Sequence, residues 1–249
     1  MTRWTGIVAA GFLALIACPD ALLAGPARAD DNVPDLPAAS QALVWMPRDG
    51  DEIRFDVLRQ GKPFGSHIVR FDVAENGMVT ARTDVKLRAG FGPIPLYRYD
   101  LAATGRWKGG RLIELTGKVN KDGREGSVTA RAHGDVIEVD GSGYRGTVPA
   151  ATLPASHWNI AGTGATVLLS AENGQPLDVS VTRIGRETVT VAGQAVEANK
   201  YLLDSDIDVT LWYDDAGRWV KLAFTARGQQ IDYVLAEPFW GDRDPAGAP

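Results

Sequence analysis

Between Val79 and Leu87 the residues sort by parity: Val79, Ala81, Thr83, Val85 and Leu87 share one, and Thr80, Arg82, Asp84 and Lys86 share the other. A helix, repeating about every 3.6 residues, cannot sort such a run into two faces, whereas a β-strand does so at once. The same period opens at Ile53, Phe55 and Val57 and continues at Val128, Ala130 and Ala132. It closes the chain at Ile207, Val209, Leu211 and Tyr213, then at Val220, Leu222 and Phe224. Turn residues punctuate these runs, among them Gly61-Lys62-Pro63-Phe64-Gly65, Asn76-Gly77, Gly109-Gly110, Asp122-Gly123, Ala192-Gly193 and Ala216-Gly217. Each supplies the Gly, Asn or Asp that hairpins use where φ is positive.

Strands at such short intervals predict an antiparallel meander of about ten to twelve strands. Helical signals are short, at Ala38–Val44 and in a turn near Leu153–Asn159. The expected fold is all-β: a single large antiparallel sheet curled into a half-open barrel or β-spiral, with one or two short helices. Curling hides the sheet's edges and its apolar face, and the interior of such a sheet is either a cavity or a solid core. If a cavity, its apolar candidates are Trp158, Val85, Leu211 and Phe224, with a volume of roughly a few hundred Å³. The β domain is expected over 47–236, after a flexible Ala-, Pro- and Asp-rich lead-in at 30–46 and before a loose tail at 237–249.

Residues 1–29 have the anatomy of a secretory signal: Arg3, an apolar stretch from Thr5 to Ala17, and Ala27-Arg28-Ala29 before Asp30. The apolar stretch is shorter than the ~20 residues that span a bilayer. A second reading is that Leu15-Ile16-Ala17-Cys18 is a lipobox, which makes Cys18 a lipidation site and the protein a membrane-tethered lipoprotein. Otherwise the expected location is periplasmic or secreted, with membrane contact only if lipidated. Nucleic acid is excluded as a partner by the net charge of −5, since phosphate binding needs clustered Lys and Arg.

Motifs that carry chemistry are missing. One Cys and three His without metal-ligand spacing point to no metal and no cofactor. There is no Gly-x-Ser-x-Gly elbow, and Ser156 and His157, as neighbours on an extended chain, face opposite ways. No catalytic residue is expected. His67 and His133 read as surface or edge residues. Asp204, Asp206 and Asp208, at period two, read as a solvated outer strand face. Gly141-Ser142-Gly143-Tyr144-Arg145-Gly146 matches a dinucleotide fingerprint by letters, but Thr147-Val148-Pro149 follows where a helix has to start. It reads as a loop between strands. Trp212 and Tyr213 must face opposite sides.

Three segments together carry a resemblance: FDVLRQGKPFGSHIVRFDV at Phe55–Val73, LPASHWNI at Leu153–Ile160, and DIDVTLWYDDAGRWVKLAFTARGQQIDYVL at Asp206–Leu235. They resemble an uncharacterised family of Gram-negative bacterial envelope proteins, a domain of unknown function, over roughly Asp51 to Leu235. That family is similar, distantly, to curled-sheet periplasmic proteins that carry or sense lipoproteins and hold acyl chains in a half-open barrel. The resemblance implies a curled sheet and an apolar ligand, and it assigns no residue a role. The expected function is a non-enzymatic carrier or sensor of a lipid, an acyl chain or a lipoprotein. The alternative is an envelope interaction or structural protein with a packed core and no small-molecule ligand.

Overall fold

The structure, a computed structural model, describes residues 45–91 and 94–237. The leader with Cys18, the helical signal at Ala38–Val44, and nearly all of the lead-in and tail lie outside the described residues. Among the described residues sixteen strands form two antiparallel-dominated sheets with almost no helix, as the period-two pattern requires. The first eight are β1 (Glu52–Arg59), β2 (Lys62–Val73), β3 (Val79–Phe91), β4 (Ile94–Lys108), β5 (Arg111–Lys121), β6 (Arg124–His133), β7 (Val136–Gly141) and β8 (Arg145–Pro149). Three short strands follow, β9 (Leu153–Pro154), β10 (Val167–Leu169) and β11 (Pro176–Asp178). The last five are β12 (Ser180–Val191), β13 (Gln194–Asp204), β14 (Val209–Asp214), β15 (Trp219–Ala226) and β16 (Gln229–Leu235).

The main sheet has 13 strands, in the order β12-β13-β14-β15-β16-β1-β2-β3-β4-β5-β6-β7-β8. It is a meander with one long-range joint: β1 pairs with β2 on one side and with the last strand, β16, on the other. Tight turns set each hairpin. At Asp122-Gly123 both residues have positive φ, 51° and 86°, the geometry that matches strand twist in a two-residue hairpin. Ala192-Gly193 does the same at 47° and 82°, with Ala tolerating the left-handed region only because the hairpin imposes it. Among the described residues β8 and β12 have one neighbour each in this sheet, so the sheet curls without closing.

One continuous apolar core lies inside the curl, built from both halves of the sheet and from the segment that joins β8 to β12. Phe55, Trp219 and Tyr233 meet there, with Phe55–Trp219 ring centroids 4.4 Å apart. Local details differ from the sequence reading. No helical turn forms at Leu153–Asn159; the residues make β9 and an irregular loop, and the one 3-10 turn comes later at Ile160–Gly164, capped by the Asn159 side chain. Asp206 and Asp208 lie in a loop, because β14 starts only at Val209, and all three Asp residues are exposed. Gly141–Gly146 is indeed a strand-to-strand connection. Trp212 and Tyr213 do face opposite ways: the Tyr213 hydroxyl donates inward to the His157 carbonyl at 2.7 Å, while Trp212 lies on the outer face under Lys200 and Lys221.

Candidate functional site

The inward faces of β2–β7 carry several small residues side by side. Along one cross-strand row the residues run Val69, Thr83, Ala103, Gly117, Val128 and Gly141. A parallel row holds Phe71, Ala81, Gly105 and Leu115. Small residues at successive inward positions open a trough in the concave face, and a strand-interior glycine marks close approach of another backbone. The joining segment fills this trough. Its β9-β10-β11 sheet ends in a loop at 170–175, and that loop rests on glycines. A Cβ on Gly117 would lie 1.9 Å from the Ala171 carbonyl oxygen, and one on Gly141 would lie 2.1 Å from that of Asn173. The Gly143 N–H donates to the same Asn173 oxygen at 2.9 Å.

The loop carries a charge into the interior. Glu172 is buried, and its carboxylate accepts from the Tyr99 hydroxyl at 2.8 Å and pairs with the Lys121 ammonium. Tyr99 and Lys121 are directly opposed on β4 and β5. Burial pushes the Glu172 carboxyl above its ordinary range, and Lys121 and Tyr99 pull it back. The Tyr99 hydroxyl is pushed well up by burial and by the facing carboxylate. This group fastens the loop; it has the partners of a structural clasp.

Beside the loop is a small cavity of about 20 Å³, bordered by His67, Thr83, Gly105, Trp107, Ser156 and Trp158 among others. His67 corrects the sequence reading: it is 3% exposed, on the inward row with Val85 and Leu101. Among the described residues neither of its ring nitrogens has a hydrogen-bond partner, nor has the Trp107 indole nitrogen. Burial lowers the His67 pKa to about 3, and nearby His157 adds to the effect. An imidazole so poorly basic is a weak general base. Ser156 sits in the same wall, with its hydroxyl turned to the Pro154 carbonyl at 3.5 Å. His157, in a loop and not on a strand, has φ 56° and packs against Trp219. His133 is exposed at the end of β6, as expected.

The four residues proposed to line a chamber are all buried and all packed. Trp158 makes edge-to-face contacts with Phe71 and Trp107, at 5.1 and 5.2 Å. Phe224 lies beside Tyr233, and Leu211 borders a second space of only about 10 Å³. Val85 is fully buried in the His67 row. Inside the curl the joining segment occupies the place such a chamber would take, and the spaces of hundreds of Å³ are open clefts, one of about 680 Å³ bordered by Phe224 and one of about 720 Å³ bordered by Val85. Period two cannot foresee this, because it says which side chains point inward and not what they meet.

His67 gives the fold an acid limit. An imidazole held neutral to about pH 3 in the folded chain takes a proton near pH 6.5 once unfolded. The unfolded state therefore binds more protons across that window. Stability is complete above pH 6.5 and falls as pH drops toward 3, by about 2 kcal/mol between pH 7 and 5 at 1.36 kcal/mol per unit. Urea titrations at both pH values are expected to show a fall of at least this size, and a His67→Phe chain to lose only the His67 share, because burial also lowers the His157 pKa to about 4 and adds a slope of the same sign.

A thirteen-stranded curled sheet sealed by its own crossover defines a barrel-like all-β protein, with no group of three or more His, Cys, Asp or Glu placed to hold a metal among the described residues. The crystal structure of a beta-barrel-like protein of domain of unknown function DUF1849 from Brucella abortus has this fold. It is similar at a TM-score of 0.54 and 12% sequence identity, over 76% of this chain and 96% of that one. The chain belongs to the family described as domain of unknown function DUF6134, which matches residues 55–236. No curated protein matches the sequence.

Proposed function

We propose that this is an exported, non-enzymatic protein of the cell envelope that works by binding a protein partner on its outside, with its interior serving as packed support. The observation that carries the reading is the contrast between a filled interior and an unpaired sheet edge. The inner spaces of about 20 and 10 Å³ are far below the ~300 Å³ of a usual ligand pocket, and the larger ones, about 680 and 720 Å³, are open clefts lined by polar as well as apolar residues. The edge strand β12, 12 residues long, has β13 as its neighbour in the sheet and exposes Ile184. An extended segment can add to such an edge through main-chain hydrogen bonds. The bulge between Arg183 and Gly185, and the charges of Arg183 and Arg186, discourage indiscriminate pairing and select a partner that accommodates them.

A photo-reactive side chain placed at Thr182 in the full chain is expected to cross-link a discrete protein in the envelope, while one at exposed Ile113 on β5 does not. Native mass spectrometry of the gently purified protein is expected to give the polypeptide mass alone. A lipid bound at near-unit stoichiometry in repeated preparations, with no Thr182 adduct, overturns the reading in favour of a lipid carrier. One feature supports that second reading: the loop at 170–175 brings Ser170 and Glu172 into the core, so its withdrawal opens an apolar trough. The same spectra show whether the chain starts at Asp30 or at an acylated Cys18.

A further inference from the structure

We propose that the His67 cavity is a built site for one water-sized neutral molecule, which accepts a hydrogen bond from the Trp107 indole N–H and donates one to the unprotonated ring nitrogen of His67. Two buried polar side chains border this space without a partner among the described residues, His67 and Trp107. Buried polar groups are nearly always satisfied, and a group left bare is destabilising. The two needs are complementary. An indole nitrogen only donates, and a neutral imidazole has one nitrogen that only accepts. A single molecule with one acceptor and one donor serves the indole N–H and the accepting imidazole nitrogen together.

Size and charge define the ligand further. A water needs roughly 10–15 Å³ of such space, and the cavity offers about 20 Å³. No charged side chain is in its wall, and burial keeps the imidazole neutral, so an ion has no counter-charge there. The Thr83 and Ser156 hydroxyls in the wall bring the polar partners to the two to four that a buried water uses. Gly105 makes the space. A Cβ there would lie 2.8 Å from the Trp107 indole nitrogen, so only glycine leaves that N–H facing an opening. The site is therefore an internal hydration site of the core, separate from any surface that receives a partner.

The test is solution NMR on the folded chain. Cross-relaxation with long-lived water is expected at the Trp107 indole proton and at the His67 ring protons. The unprotonated His67 nitrogen is expected at the lower-frequency ¹⁵N shift of a hydrogen-bonded acceptor. In Trp107→Phe the His67 water signal is expected to fall severalfold, and in Gly105→Ala, which fills the space, to vanish. Absence of water cross-relaxation at both side chains in the unaltered protein overturns the proposal, whether or not the variants fold. So does a His67 water signal that survives unchanged in a folded Gly105→Ala chain.

Discussion

Gly117→Ala will unseat the loop at 170–175 and lower stability by about 3 kcal/mol, the upper range for overpacking a close-packed interior. The reason is steric and local. The new Cβ would stand 1.9 Å from the Ala171 carbonyl oxygen, and the obstacle is backbone, which cannot rotate away as a side-chain tip can. The φ of Gly117 lies outside the left-handed region, so alanine itself is conformationally acceptable there. Gly141→Ala meets the Asn173 carbonyl oxygen at 2.1 Å and is expected to behave alike. Gly162→Ala is the control: nothing lies within 4 Å of its Cβ position, and alanine there is expected to be neutral or slightly stabilising. Thermal melts give the ranking, and amide hydrogen exchange at Gly143 and Gly174, whose N–H groups donate to the Asn173 and Ser170 carbonyls, locates the damage. An unchanged melt for Gly117→Ala, with those amides still protected, would remove the glycine bed from the account of the fold.

These glycines also mark where sequence reading stopped. The strands themselves were legible because alternation is local: Val79–Leu87 lies in β3, and Val220, Leu222 and Phe224 lie in β15. Hairpin turns were legible for the same reason, as at Asp122-Gly123. The pairing of β1 with β16 was not, since no short-range pattern tells the first strand that its neighbour is the last. His67 was within reach: it shares the parity of Val69 and Phe71 in KPFGSHIVRFDV, and both of those are buried. Its polar identity outweighed its position. Gly105, Gly117 and Gly126 lie inside strands, not at hairpin tips, and an interior strand glycine signals close approach of another backbone. Which backbone approaches is a long-range fact, set here by the crossover from β8 to β12. The clasp on Glu172 was invisible for a like reason: Tyr99, Lys121 and Glu172 are far apart in sequence, and an isolated Glu in SAENGQ reads as a solvated loop residue.

Lys121→Met removes the counter-charge of Glu172 and is expected to destabilise the protein at pH 7 by about 2–4 kcal/mol. Breaking a fully buried pair by deleting one partner costs about 3–5 kcal/mol. The lower figure applies here because the Lys121 side chain keeps 22% of its exposure and is partly screened by solvent. The deficit should depend on pH in a set direction. Burial already raises the Glu172 carboxyl above its ordinary value of 4.5, and the variant lacks the lysine that pulls it back. A carboxyl whose folded pKa is raised is no burden while protonated, below about 4.5, and its penalty grows as pH rises through the folded pKa. The gap between variant and unaltered protein is therefore small at pH 4 and full at pH 7. Adding Glu172→Gln to Lys121→Met leaves a neutral pair, with the amide oxygen still able to accept from Tyr99, and is expected to recover most of the loss. Urea denaturation of the four proteins of this cycle at both pH values measures the coupling. A deficit under 1 kcal/mol, flat with pH and unrelieved in the double variant, would make the pair an ordinary surface bridge and leave the glycine bed alone to hold the loop.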